Sequence, residues 1–198
     1  MNPNLPHPGH FTARFEKALV YATRLHNGQS RKSTPIPYIA HLLAVTAMVI
    51  EWGGDEEIAI AALLHDAVED QGGLSTLEEI RGLFGDRVAR IVEACSDSYE
   101  IPKPPWRERK EKYIHRLRGE GHEVLLVSLA DKLHNARSIL RDLRSMGPSA
   151  LDRFRGGRDG TLWYYHTLVI VFKEAENSIN VEEFALVVDE IERLAGKS

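Results

Sequence analysis

Ile58-Ala59-Ile60-Ala61-Ala62-Leu63-Leu64-His65-Asp66-Ala67-Val68-Glu69-Asp70 is the stretch that decides the fold. Its first seven residues are apolar on every side of a helix, so the helix they form must be buried all round. Asp55 is placed to cap it, and Gly72-Gly73 to end it, which predicts one helix from about Asp55 to Asp70. Four ionisable side chains then follow the apolar run. Lone charges there are costly to bury. A divalent cation offsets that cost and accounts for an adjacent His and Asp. Neighbouring residues on a helix point about 100° apart, so one ion at the edge between His65 and Asp66 can touch both. Glu69 and Asp70 fall one turn beyond them.

Outward from this stretch, the chain alternates apolar three- and four-residue periodicity with Gly and Pro breaks. The pattern predicts helices over about Phe11–His26, Tyr38–Glu51, Asp86–Asp97, Trp106–Arg118, Glu123–Met146, Thr161–Glu176 and Val181–Leu194. Ser75 and Glu78 form a capping-box pattern that predicts a short helix after Gly72-Gly73. No segment shows a period of two, and there is no internal repeat. The expected architecture is all-α, a bundle of about eight to ten helices. Residues 1–198 read as a single domain, with residues 1–10 a flexible proline-rich lead-in.

Composition narrows the function classes. The 198 residues are 43% hydrophobic and 27% charged, which argues for a globular core and against disorder. A formal net charge of -4 implies no broad basic face, so nucleic acid is not the expected partner. The one cysteine, Cys95, has no intrachain partner, which fits a reducing compartment, and its setting predicts a small buried thiol. The start lacks a signal peptide pattern and no apolar run is long enough to span a bilayer, so the expected location is cytoplasmic, without a membrane partner.

Two more polar residues stand out against apolar surroundings. His41 lies in Tyr38-Ile39-Ala40-His41-Leu42-Leu43, and Asp131 in Val127-Ser128-Leu129-Ala130-Asp131-Lys132. Taken singly, each has a bland alternative, a hydrogen-bonded core histidine or a helix–helix salt bridge. Taken together with His65 and Asp66, they make two imidazoles and two carboxylates. Mixed nitrogen and oxygen donors with open positions suit Mn²⁺, Fe²⁺ or another borderline divalent ion. Without cysteine ligands, a closed structural zinc site is not expected.

At these residues the chain resembles the HD-domain metal-dependent phosphohydrolases, in which the order is His, His-Asp, Asp. Pro37-Tyr38-Ile39-Ala40-His41, the stretch from Ala62 to Asp70, Phe84-Gly85-Asp86-Arg87-Val88-Ala89 and Leu129-Ala130-Asp131-Lys132-Leu133-His134-Asn135-Ala136-Arg137 look like the hydrolase domain of the RelA/SpoT family. The likeness covers about residues 11 to 176. The chain ends too soon for the synthetase and regulatory domains of long members, so it looks like a stand-alone small alarmone hydrolase. The resemblance implies Mn²⁺-dependent removal of the 3′-pyrophosphate from (p)ppGpp, giving GDP or GTP and pyrophosphate.

The resemblance also assigns roles. His41, His65, Asp66 and Asp131 would hold the metal. Glu69 and Asp70 would position a water and shuttle protons, the alternative being that they merely cap a helix end. Arg31 or Lys32 would meet the nucleotide, although Thr34-Pro35-Ile36-Pro37 stands where the family has a Gly-containing turn, and two solvated surface charges are the alternative. Asn135 would contact the nucleotide or hydrogen-bond a metal ligand, and Arg137 and Ser138 are further substrate-binding candidates. The charged run containing Lys103, Arg107, Arg109, Lys110 and Lys112 reads as a solvated face or a polyphosphate attractor. Trp163-Tyr164-Tyr165 reads as core, not as a base platform. Two other functions compete: an HD phosphohydrolase acting on another nucleotide or phosphate ester, and a catalytically silent nucleotide sensor.

Overall fold

The computed structural model describes residues 11–98, 102–176 and 178–196, and the lead-in expected over residues 1–10 lies outside them. The described residues are all-α, with ten α-helices, one short 3₁₀ helix and no strand. They group into two compact units that divide between residues 99 and 100.

The first unit holds α1 (Ala13–Leu25), α2 (Ile39–Glu51), α3 (Glu56–Leu64), α4 (Ala67–Asp70), α5 (Leu74–Phe84) and α6 (Asp86–Cys95). Helix α3 is its centre. Every side chain from Ile58 to Leu64 is buried, as an all-round apolar helix requires. Helices α1, α2 and α6 surround it, contributing Ala18, Ala22, Leu42, Val45, Val49, Val88 and Val92 to the core. The Asp55 carboxylate caps α3 by accepting from the Glu57 and Ile58 amides, both at 3.1 Å. Such a cap stabilises a helix by about 1 kcal/mol. Arg87 on α6 donates to Asp55 at 2.8 Å and to Glu57 at 2.9 Å, pinning the start of α3. Burial pushes the Asp55 carboxyl up, but the Ile58 amide and Arg87 pull it down further, so it stays below the ordinary aspartate range.

Three local expectations change. The helix drawn from Asp55 to Asp70 is interrupted at His65 and Asp66, and α4 is a separate turn. The Ser75 capping box does not form. Gly73, at a φ of 63°, takes the N-cap position two residues earlier, and the Ser75 hydroxyl donates to the Gly72 carbonyl at 2.8 Å. Cys95 is half-buried and not fully enclosed. Between α5 and α6 the chain turns at Gly85, whose φ of 92° a side chain would resist.

The second unit holds α7 (Trp106–Leu117), α8 (His122–Met146), the 3₁₀ turn Pro148–Leu151, α9 (Gly157–Ala175) and α10 (Ile179–Leu194). Helix α8 packs on α10, and α9 packs on α7 and α10. Val127, Leu133, Ala136 and Leu143 from α8 meet a core that includes Leu168, Phe172, Phe184 and Val188. Tyr164 and Tyr165 are buried, as expected of core aromatics. Trp163 is half-buried, with the Arg107 guanidinium 3.3 Å over its ring. The charged run on α7 is largely satisfied within the helix, by Arg107–Glu111 at 2.6 Å and Lys112–Glu108 at 2.8 Å. Arg109 is buried and donates to the Pro104 carbonyl at 3.2 Å.

The Trp106 indole lies against bare backbone at the start of α9. A Cβ added at Gly156 would fall 2.6 Å from one ring carbon and 2.9 Å from two others. An indole cannot fold away, so Gly156→Ala is expected to destabilise the protein by about 2 kcal/mol, within the usual range for overpacking. The midpoint of urea unfolding measures this. An unchanged midpoint would mean that the ring moves freely.

Among the described residues, no helix is long and apolar enough to cross a membrane.

Candidate metal centre

The break between α3 and α4 builds the site. His65 and Asp66 keep near-helical backbone angles, but Asp66 sits at φ -98° and ψ -2°, where the regular ladder has ended. The His65 ring supplies a reason. Its Nδ1 lies 2.7 Å from the Ala62 carbonyl, the group a continuous helix would offer to the Asp66 amide. A carbonyl only accepts, so Nδ1 carries the proton and Nε2 is left with its lone pair. That Nε2 is 3.1 Å from Asp66 Oδ2.

His41 arrives from the first turn of α2, with its ring buried. Its Nε2 lies 3.5 Å from the same Asp66 oxygen. The His41 and His65 rings stand edge to face, 5.2 Å apart. One ligand atom from each of the three residues falls within 4.8 Å of the others. Donors at about 2.1 Å from one ion stand roughly 3.0–3.4 Å apart in octahedral or tetrahedral geometry. The observed 3.1 and 3.5 Å separations fit such a set. Two buried imidazole nitrogens around one carboxylate oxygen can hold a divalent cation.

A layer of residues that the sequence reading did not single out supports this triad. The Tyr38 hydroxyl donates to Asp66 Oδ2 at 2.5 Å. His26 stacks on the Tyr38 ring with centroids 5.4 Å apart and planes 16° from parallel. Tyr38 precedes His41 by three residues, a helical spacing that places both on one face and was visible in the sequence.

The carboxylates that follow are each held. Glu69 is half-buried, and its Oε2 accepts the Asp97 amide at 3.3 Å. Asp70 is exposed, and its Oδ2 accepts from Gln29 Nε2 at 2.8 Å. Arg31 and Lys32 sit in the tight loop closed by the Ser30–Pro37 bridge, and Arg31 donates its amide to the Ile36 carbonyl at 2.8 Å. Ser33 takes φ 59° in that loop, the left-handed conformation that a glycine would supply more readily. The Arg31 guanidinium lies 5.7 Å from the Tyr38 ring centroid.

Asp131 belongs to the second unit. It is buried on α8. Its Oδ2 accepts from Lys132 Nζ at 2.5 Å and its Oδ1 from Asn135 Nδ2 at 2.5 Å. Burial draws the Lys132 ammonium down, but the Asp131 charge more than offsets this and holds it well above its ordinary value. Lys132 also lies 5.0 Å from the Tyr113 ring centroid. Asn135 therefore holds a proposed ligand, one of the two readings open for it. Arg137 forms an ion pair with Glu183 on α10, and the Ser138 hydroxyl donates to the His134 carbonyl at 3.1 Å.

The fold and this site define the class: the chain belongs to the HD-domain family, whose pattern matches residues 18–153. Among particular relatives, it is 37% identical over 133 residues to the guanosine-3′,5′-bis(diphosphate) 3′-pyrophosphohydrolase MESH1 of Danio rerio, covering 66% of this chain and 71% of that one. It is 34% identical over 139 residues to a GTP pyrophosphokinase of Myxococcus xanthus, covering 67% of this chain. The chain spans only 18% of that longer relative's length. A solved structure of a metazoan ortholog of SpoT, described as hydrolysing ppGpp, matches with a TM-score of 0.73 and 31% identity, covering 95% of this chain and 98% of its own.

Proposed function

We propose that the chain is a metal-dependent pyrophosphohydrolase that removes the 3′-pyrophosphate of (p)ppGpp, giving GDP or GTP and pyrophosphate. The observation that carries this reading is the buried His41–His65 pair gathered on the half-buried Asp66, with Glu69 and Asp70 shortly after it. The substrate is supported by the likeness to MESH1 over most of that protein's length. The metal is Mn²⁺, held by His41, His65 and Asp66, with Asp131 the fourth ligand that the family resemblance assigns. When bound, such an ion polarises a phosphoryl oxygen and lowers the pKa of a coordinated water.

The reaction places water oxygen on phosphorus and breaks the phosphorus bond to the ribose 3′-oxygen. One proton leaves the water and one reaches the departing oxygen. Glu69 and Asp70 are the carboxylates assigned to that traffic. Glu69 is oriented by the Asp97 amide and Asp70 by Gln29. Arg31 and Lys32 meet the nucleotide phosphates or base, with Asn135, Arg137 and Ser138 as further contacts. The lone cysteine supports a reducing, cytoplasmic setting.

Glu69→Gln tests the chemistry. Turnover is expected to fall about 10²- to 10⁴-fold, the usual range for removing a general acid or base. Metal content should stay at the wild-type level. Near wild-type turnover with metal retained would defeat the assignment. The substrate is tested with purified protein, Mn²⁺ and ppGpp, separating products by ion exchange. Pyrophosphate with GDP is expected. Orthophosphate from nucleoside monophosphates would point to another HD phosphohydrolase, and tight ppGpp binding without turnover to a sensor.

A further inference from the structure

Gln29 lies at the centre of a short hydrogen-bonded relay. Its Oε1 is 2.7 Å from His26 Nδ1 and 2.6 Å from Gln71 Nε2, and its Nε2 is 2.8 Å from Asp70 Oδ2. The backbone of Gln29 is fixed on both sides. Its amide donates to the His26 carbonyl at 3.1 Å, and its carbonyl accepts from the Tyr38 amide at 2.9 Å.

The polarity of this relay can be deduced. An ionised Asp70 only accepts, so the Gln29 amide group must face it. The Gln29 oxygen then faces His26 and Gln71, and both must donate to it. His26 is buried, and among the described residues its Nε2 has no hydrogen-bond partner. A proton there would be buried without an acceptor, so the ring carries its proton on Nδ1, directed at Gln29. Two donors thus hold the Gln29 oxygen and aim its amide at Asp70. Asp70 is exposed, and the Gln29 amide is one of the groups that fix its carboxylate.

We propose that Gln29 is a positioning residue for the reaction, orienting the Asp70 carboxylate through its side-chain amide, with His26 and Gln71 fixing the amide's direction. This rests on the role proposed above for Asp70. Through its stacking on Tyr38, which donates to Asp66, His26 belongs to the support of both the metal triad and the carboxylate beyond it.

Gln29→Glu separates the structural half of the relay from the functional half. A glutamate keeps an acceptor for His26 and Gln71, but loses the donor to Asp70 and sets a like charge beside it. With Mn²⁺ and ppGpp, kcat for pyrophosphate release is expected to fall about tenfold, as for loss of a hydrogen bond to a charged group. KM, metal content and the unfolding midpoint should stay at their wild-type values. In an Asp70→Asn background the same substitution should cause no further fall, because the new glutamate accepts from the new asparagine. An equal fall in both backgrounds, or a change in KM alone, would overturn the inference. A large loss in Asp70→Asn with wild-type turnover in Gln29→Glu would overturn it while leaving Asp70 its role. Wild-type turnover in Asp70→Asn alone would remove that role, and this inference with it.

Discussion

Asp66→Ala is expected to empty the metal centre and to lower pyrophosphate release from ppGpp by roughly a thousandfold or more, since the ion supplies several kcal/mol of charge stabilisation. Three groups depend on this one carboxylate. The Nε2 atoms of His41 and His65 stand 3.5 and 3.1 Å from its Oδ2, and the Tyr38 hydroxyl donates to the same atom. The fold should survive, because the apolar run of α3 ends before Asp66 and the carboxylate lies at the edge of the core, with a side chain 20% exposed. Metal per chain by atomic absorption and helicity by circular dichroism are the measurements. Tyr38→Phe should cause a much smaller loss, since it removes an orienting donor and leaves every proposed ligand atom. A full metal complement in Asp66→Ala, with turnover near wild type, would show that Asp66 is not a ligand.

Lys132→Met is expected to destabilise the metal-free protein by about 3 kcal/mol, in the range for breaking a buried ion pair from one side. The Lys132 side chain is 13% exposed and that of Asp131 8%, so neither charge is well hydrated. Removing the ammonium takes away the charged donor on Oδ2, while Asn135 still donates to Oδ1. Pairing the change with Asp131→Asn should restore most of the loss, because no buried charge remains. Urea unfolding in the presence of a chelator checks both steps. A loss below about 1 kcal/mol, typical of exposed pairs, would mean that water reaches the pair freely.

Much of the site was legible before the structure because it depends on residue type and short spacing. His65-Asp66 follows seven apolar residues, a sequence in which an unpaired carboxylate makes little energetic sense. His41 three residues after Tyr38 is likewise a local pattern. The interruption of α3 was not legible. It involves a ring nitrogen competing for a backbone carbonyl, and that competition has no periodic signature. Ser75 and Glu78 matched a capping box, yet Gly73 could adopt a positive φ and begin the helix first. Arg137 matched a family position, and its ion pair with Glu183 depends on a residue 46 positions further on.

By itself, the sequence determined the all-helical class, most helix limits to within a residue or two, and the candidacy of His41, His65 and Asp66 as donors to one ion. These follow from forces acting over one or two turns: a 3.6-residue apolar period, glycine and proline breaks, and the cost of burying charge. Only the tertiary structure decided which nitrogen of each imidazole faces Asp66, that Tyr38 shares the same oxygen, and that Gln29 joins His26 to Asp70. Those choices depend on how separate segments pack. A side chain's direction and its partners are set by neighbours distant along the chain, and no local pattern encodes them.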